Sequence, residues 1–200
     1  MSVNKAIIKQ RKSYKRFMLT MGFIFFALPL ALILIDKINI FYIIYLLLIE
    51  ILIIIAILSK INNENFKIYN DNYKIKIISG LKRDGLNIMC NKVVFVHIEN
   101  YIRRSDKSKD FSIIIIASSK FRSSKMVPIN EKFLKNHPYV AYHYTKIKIL
   151  SPEKDYFFTI IKKGRYLKYE LLDIIYRNCV YAQFTGETID KIKEYRNEVY

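Results

Sequence analysis

The sequence is poor in the residues that build metal centres and disulfide frameworks. Among 200 residues there are two cysteines and three histidines. Cys90 and Cys179 form no C-x-x-C pair and read as separate buried thiols of a reducing compartment. His97 lies in a strand-like pattern, as a core or edge residue. His137 precedes Pro138 and reads as a helix-end residue. Its six-position spacing to His143 fits no common ligand pair. Glycine is also scarce, at five residues. There is no G-x-x-x-x-G-K-[ST], no G-x-G-x-x-G, no H-E-x-x-H and no G-x-S-x-G. These absences leave no recognisable catalytic set, metal or cofactor, and the chain reads as non-enzymatic.

Acidic residues are half as frequent as basic ones, 17 against 34, for a net charge of +17. The imbalance is placed unevenly. Residues 1–16 carry Lys5, Lys9, Arg11, Lys12, Lys15 and Arg16 and no acid. Residues 17–35 carry no charge, and residues 40–58 carry only Glu50. Each apolar run of about 19 residues, coiled at 1.5 Å per residue, spans roughly 28 Å, close to a bilayer's hydrocarbon thickness. The link between them is only Asp36-Lys37-Ile38-Asn39. This pattern predicts a two-helix transmembrane hairpin.

Lysine and arginine flanking a span stay on the cytoplasmic side. Six bases precede the first run, Lys60 and Lys67 follow the second, and the tip is nearly neutral. Both termini are therefore expected in the cytoplasm, with the chain a multi-pass protein of the cell membrane. A cleaved signal peptide is the alternative. The apolar run is long for one, and a second span follows at once. Within the hairpin, Pro29 marks a kink site and Gly22 and Thr20 allow close helix approach. Glu50 is costly at the middle of a span and calls for a neutral hydrogen-bonded state or a partner on another helix.

The chain thus divides into a basic arm (1–16), the hairpin (17–59) and a basic cytoplasmic α+β domain (60–200). The last part, about 140 residues, is enough for a core of its own. Phe66-Lys67-Ile68-Tyr69 and Tyr73-Lys74-Ile75-Lys76-Ile77 alternate as half-buried strands do, around a turn at Asn70-Asp71-Asn72. Residues 86–98 and 111–117 are strand-like, with a charged loop at 103–110. A short helix near Phe133 is interrupted at Pro138. Residues 146–150 and 156–161 alternate again and read as strands. Leu167, Leu171, Ile174 and Ile175 share a helical face, residues 181–184 read as a short strand, and residues 187–199 close the chain as an amphipathic helix.

The membrane pair, the segment Asn72-Tyr73-Lys74-Ile75-Lys76-Ile77-Ile78-Ser79-Gly80-Leu81-Lys82-Arg83, the charged loop and the apolar strand after it together resemble bacterial PH-like membrane proteins. The resemblance covers about residues 17–120. It implies an antiparallel PH-like sheet with C-terminal helical capping and a scaffold role in lipid or protein contact. It carries over no catalytic residues.

The expected function is a scaffold or accessory subunit whose basic domain docks on anionic headgroups of the inner leaflet and on a protein partner or a second copy. Lys82, Arg83, Arg103, Arg104, Lys107 and Lys109 are the expected contact residues. Tyr139, Tyr142 and Tyr144 offer either an interfacial surface or ordinary packing. Nucleic acid is disfavoured, because no recognition motif accompanies the basic charge. Two other classes stay open: an oligomeric pore or transporter using Glu50, and a membrane-bound enzyme with an unrecognised site.

Overall fold

The computed structural model describes residues 2–34, 39–71, 73–81, 85–103, 107–121 and 125–199. Two long apolar helices lead the chain. α1 runs from Val3–Leu34 and continues through Pro29, and α2 runs from Ile40–Glu64. Both are long and apolar enough to cross a bilayer, and the rest of the chain leaves their apolar stretches almost wholly uncovered. They pack on each other antiparallel, with Lys60 Nζ over the Phe17 ring at 5.3 Å.

From Val3 onward, the stretch expected as a basic arm at residues 1–16 is helical and forms the first half of α1. Val3, Ala6 and Ile7 are buried at helical spacing, so one stripe of this basic stretch belongs to the domain's core.

Only Asn65 separates α2 from the first strand. β1 (Phe66–Asp71), β2 (Lys74–Ser79) and β3 (Leu86–Met89) form a three-stranded antiparallel sheet. A single strand through residues 86–98 is not what forms. A 3-10 turn at Cys90–Lys92 ends β3 and sends the chain into a second sheet. That sheet has five strands: β4 (Val93–Ile102), β5 (Lys109–Ala117), β6 (Val127–Pro128), β7 (Phe157–Ile161) and β8 (Gln183–Phe184), in the order β6-β7-β5-β4-β8. The pairings are antiparallel except β8, which lies parallel to β4.

Strand alternation divides the core in two. Val96, Ile98, Phe111, Ile113 and Ile115 face the first sheet, the start of α1, and helices α5 (Leu167–Asn178) and α6 (Gly186–Val199). Phe95, Ile114 and Ile116 face the other way, onto α3 (Glu131–Asn136) and α4 (Pro138–Leu150). Asn130 caps α3 by accepting the Phe133 N–H at 2.9 Å, and Pro138 occupies the first turn of α4.

Residues 146–150, which alternate like a strand, lie in α4. Val140 and Ile147 are buried against the sheet while Tyr139, Tyr142 and Ile149 lie outward, so packing follows the 3.6-residue period. His97, forty positions upstream on β4, comes together here with His137 and His143. His97 stacks on Tyr139, with ring centroids 4.8 Å apart, and Phe95 stacks on His143 at 5.0 Å. His137 Nδ1 meets Glu99 Oε1 at 2.6 Å. Among the described residues no group of histidine, cysteine or acid side chains is placed to hold a metal ion.

Candidate functional site: the junction between hairpin and domain

The end of α2 leaves carbonyl oxygens without partners inside the helix. Lys163, in the loop from β7 to α5, supplies one. Its ammonium donates to the Asn62 carbonyl at 3.0 Å and to Asn62 Oδ1 at 2.8 Å. A cation there also complements the negative end of the helix dipole. Beside it, Glu64 is held by Lys60 at 2.8 Å and by Arg165 at 3.8 Å. Asn65 and Gly80 exchange hydrogen bonds: the Gly80 N–H donates to Asn65 O at 2.9 Å, and Asn65 Nδ2 donates to Gly80 O at 3.0 Å.

Two glycines make this fit. Gly80 has φ +80°, and a Cβ there would stand 2.7 Å from Asn62 Oδ1. Gly164 has φ +113°, and its Cβ would stand 3.0 Å from the Phe66 ring. Both conformations belong to glycine. α1 joins the same loop: Gln10 Nε2 donates to Gly164 O at 3.3 Å, and Gln10 Oε1 accepts the Tyr166 N–H at 3.3 Å. Arg11 reaches Glu170 at 3.1 Å. The hairpin is thus fixed to the domain through both of its helices.

Next to this collar lies a buried polar centre. Lys168, with no exposed side-chain surface, pairs with Asp110 at 2.7 Å. Its ammonium also donates to the carbonyls of Phe111 and, at 3.2 Å, of Lys162. Tyr101 donates to Asp110 Oδ2 at 3.2 Å, and Arg103 Nε lies 4.0 Å from the same oxygen. Burial lowers the Lys168 pKa, and the bond to Asp110 opposes that shift. Burial, and then Asp110, raise the Tyr101 phenol to about 12. A lysine with lowered pKa is a candidate nucleophile in an open site. Here all three donor positions of the ammonium are directed at protein oxygens, so the group braces β5 against α5. A cleft of about 470 Å3 opens beside it, lined by Asn100, Tyr101, Asp110, Tyr169 and Lys191 among others.

Of the contact residues read from the sequence, Arg103, Lys107 and Lys109 lie at one end of the β4–β5 hairpin, where the Arg103 N–H donates to Ser108 O at 3.0 Å. Lys107 and Lys109 are exposed at the β4–β5 hairpin, Lys107 with φ +50°. Arg103 is turned inward to Asp110. Lys82, Arg83 and Arg104 lie outside the described residues. Glu50 is half-buried on the face of α2 that meets α1, and it has no hydrogen bond or ion pair among the described residues. Counting equally far along both helices from the Lys60–Phe17 contact brings it to the level of Ala27. Lys163, Arg165 and Lys168, which organise the junction, carried no sequence signal beyond their charge.

The far end of the domain has a different character. Cys90 and Cys179 are both free and buried, as the sequence reading has them, and they lie in one core cluster. Their mutual interaction lowers the Cys90 pKa and, with burial, raises that of Cys179. Around the pair Tyr73, Val180 and Tyr181 are largely exposed, at 86%, 79% and 83%, with Met89 beside them. Asn178, at the end of α5, donates to Asn70 at 3.3 Å, which places this apolar pole at the opposite end of α5 from the collar.

The sequence matches no protein-family model, and no curated protein and no solved structure matches it.

Proposed function

We propose that the chain is a non-enzymatic integral membrane scaffold, with both termini in the cytoplasm and the α+β domain held rigidly against the inner leaflet. One observation carries this reading. Phe23, Phe26, Leu30 and Leu34 on α1, and Ile40, Phe41, Ile44 and Leu52 on α2, are large apolar side chains left exposed by the described residues. Burial of apolar area is worth roughly 25 cal/mol per Å2. Two helices of uncovered surface therefore need lipid or an equally apolar partner.

The basic residues around the collar sit where α1 and α2 leave their apolar stretches, the height at which an anionic leaflet would lie. The resemblance of residues 72–83 to bacterial PH-like membrane proteins adds to the scaffold reading. The apolar pole at Tyr73, Met89, Val180 and Tyr181, at the other end, is the face offered to a protein partner.

Membrane fractionation with alkaline carbonate tests the insertion. The protein is expected to stay in the pellet, and single cysteines placed after Ser59 are expected to resist an impermeant thiol reagent in intact cells. Extraction by carbonate, or labelling from outside, would overturn the reading.

A further inference from the structure

α1 has two long faces in its first half. One is committed to the domain through Val3, Ala6, Ile7 and Gln10. The other is lined by Lys5, Ile8, Lys9, Lys12, Arg16 and Phe17, continues to Met21, and forms a shallow groove of about 620 Å3. Its four bases recur at intervals of four, three and four residues, so they stand in one row. No acid occurs anywhere in α1.

Several other bases near the junction are engaged inside the protein: Arg11 with Glu170, Lys60 and Arg165 with Glu64, Lys163 with Asn62, whereas Lys15 and Lys67 are exposed and lie off this row. Lys9, Lys12 and Arg16 are exposed and have no acidic partner among the described residues. The row is thus an uncompensated strip of positive charge over an apolar floor. Its lower end passes without a break into the uncovered apolar surface of the same helix.

We propose that this face binds an anionic phospholipid, with the headgroup phosphate on Lys12 and Arg16 and an acyl chain along Phe17 and Met21. The inference rests on the membrane reading above. Charge selects an anion, and the apolar lower half selects one that carries a hydrocarbon chain. Height selects the residues. The headgroup zone is about 5–8 Å thick on each side of the hydrocarbon. Lys12 lies about 6 Å above Arg16 along the helix, so both fall inside it. Lys9, about 10 Å above Arg16, and Lys5, about 16 Å above it, lie beyond. A soluble acidic protein would have no reason to distinguish Lys5 from Lys12; a lipid must.

The test uses the purified full chain in phosphatidylcholine liposomes and in mixed micelles with a trace of phosphatidylglycerol or phosphatidylcholine, reading retained lipid by native mass spectrometry. Phosphatidylglycerol is expected to be retained at least tenfold over phosphatidylcholine, and 10 mM inorganic phosphate is expected not to displace it. Removing a charge inside the headgroup zone should weaken retention about fivefold, so Lys12→Gln with Arg16→Gln together should weaken it about 25-fold. Lys5→Gln should change it less than twofold. All are surface changes, and an unchanged circular dichroism melt confirms the fold.

Equal retention of both lipids, displacement by phosphate, or equal effects at Lys5 and Lys12 would overturn the site while the protein still inserts in phosphatidylcholine. Failure to insert in phosphatidylcholine at all would overturn the membrane reading and the lipid site with it.

Discussion

Asp110 and Lys168 form a 2.7 Å ion pair in which the lysine is fully buried and the carboxylate nearly so. Desolvation of both charges makes such a pair a weak source of net stability, but breaking it strands a charge. Asp110→Asn is expected to cost about 3–5 kcal/mol, because Lys168 is left among carbonyls alone. Lys168→Met with Asp110→Leu should cost much less. Chemical denaturation in mild detergent reads both. A single variant no worse than the double would show that the pair is not a brace.

The collar depends on glycine at two positions and not at a third. Gly80→Ala and Gly164→Ala each force a side chain into a positive-φ backbone and a close contact, at about 1–3 kcal/mol. Gly186→Ala, at the start of α6 with open space around it, should be neutral or stabilising by a few tenths of a kcal/mol. Melting temperatures compare the three. Equal losses at all three sites would remove the argument for a tight junction.

Burial lowers the His97 pKa below its ordinary 6.5, against the opposing pull of Glu99 and Glu187. Below pH 6.5 the unfolded chain takes up a proton that the folded chain refuses. Stability should therefore fall from about pH 7 downward, until the lowered folded-state value is passed. His97→Phe keeps the stacking on Tyr139 and removes this titration. The variant's stability should change less between pH 7 and 5 than that of the parent; identical profiles would contradict the assignment.

Glu50 has no charged partner on α1, and the scaffold reading gives it no transported ion. Glu50→Leu is expected to favour insertion by on the order of 3 kcal/mol. Proton leak from protein-bearing liposomes should match empty liposomes, with or without Glu50→Gln. A leak abolished by Glu50→Gln would favour a pore instead.

Much of the architecture could be read from local pattern. The apolar helices, the hairpin of β1 and β2, β5, β7 and the faces of α5 and α6 all follow period 3.6 or 2 in the residues themselves. α4 defeated that reading because Lys146-Ile147-Lys148-Ile149 alternates, and only the sheet packed against Val140 and Ile147 decides for a helix. The burial of Val3, Ala6 and Ile7 was written in their spacing but masked by the surrounding bases. The collar was not legible. Lys163 and Asn62 lie a hundred positions apart, and a capping lysine looks like any solvated one until the helix end is in place. The same holds for the placing of Cys90 and Cys179 in one core cluster.

A single residue, Asn65, joins α2 to β1, and α1 is clamped to the same domain from its other side. No free linker stands between the helix pair and the sheet it leads into. A tilt of the two long helices would carry Tyr73 and Tyr181 with it, as a rod moves its own tip, and the proposed seat in the bilayer would then set the height at which that pole is met.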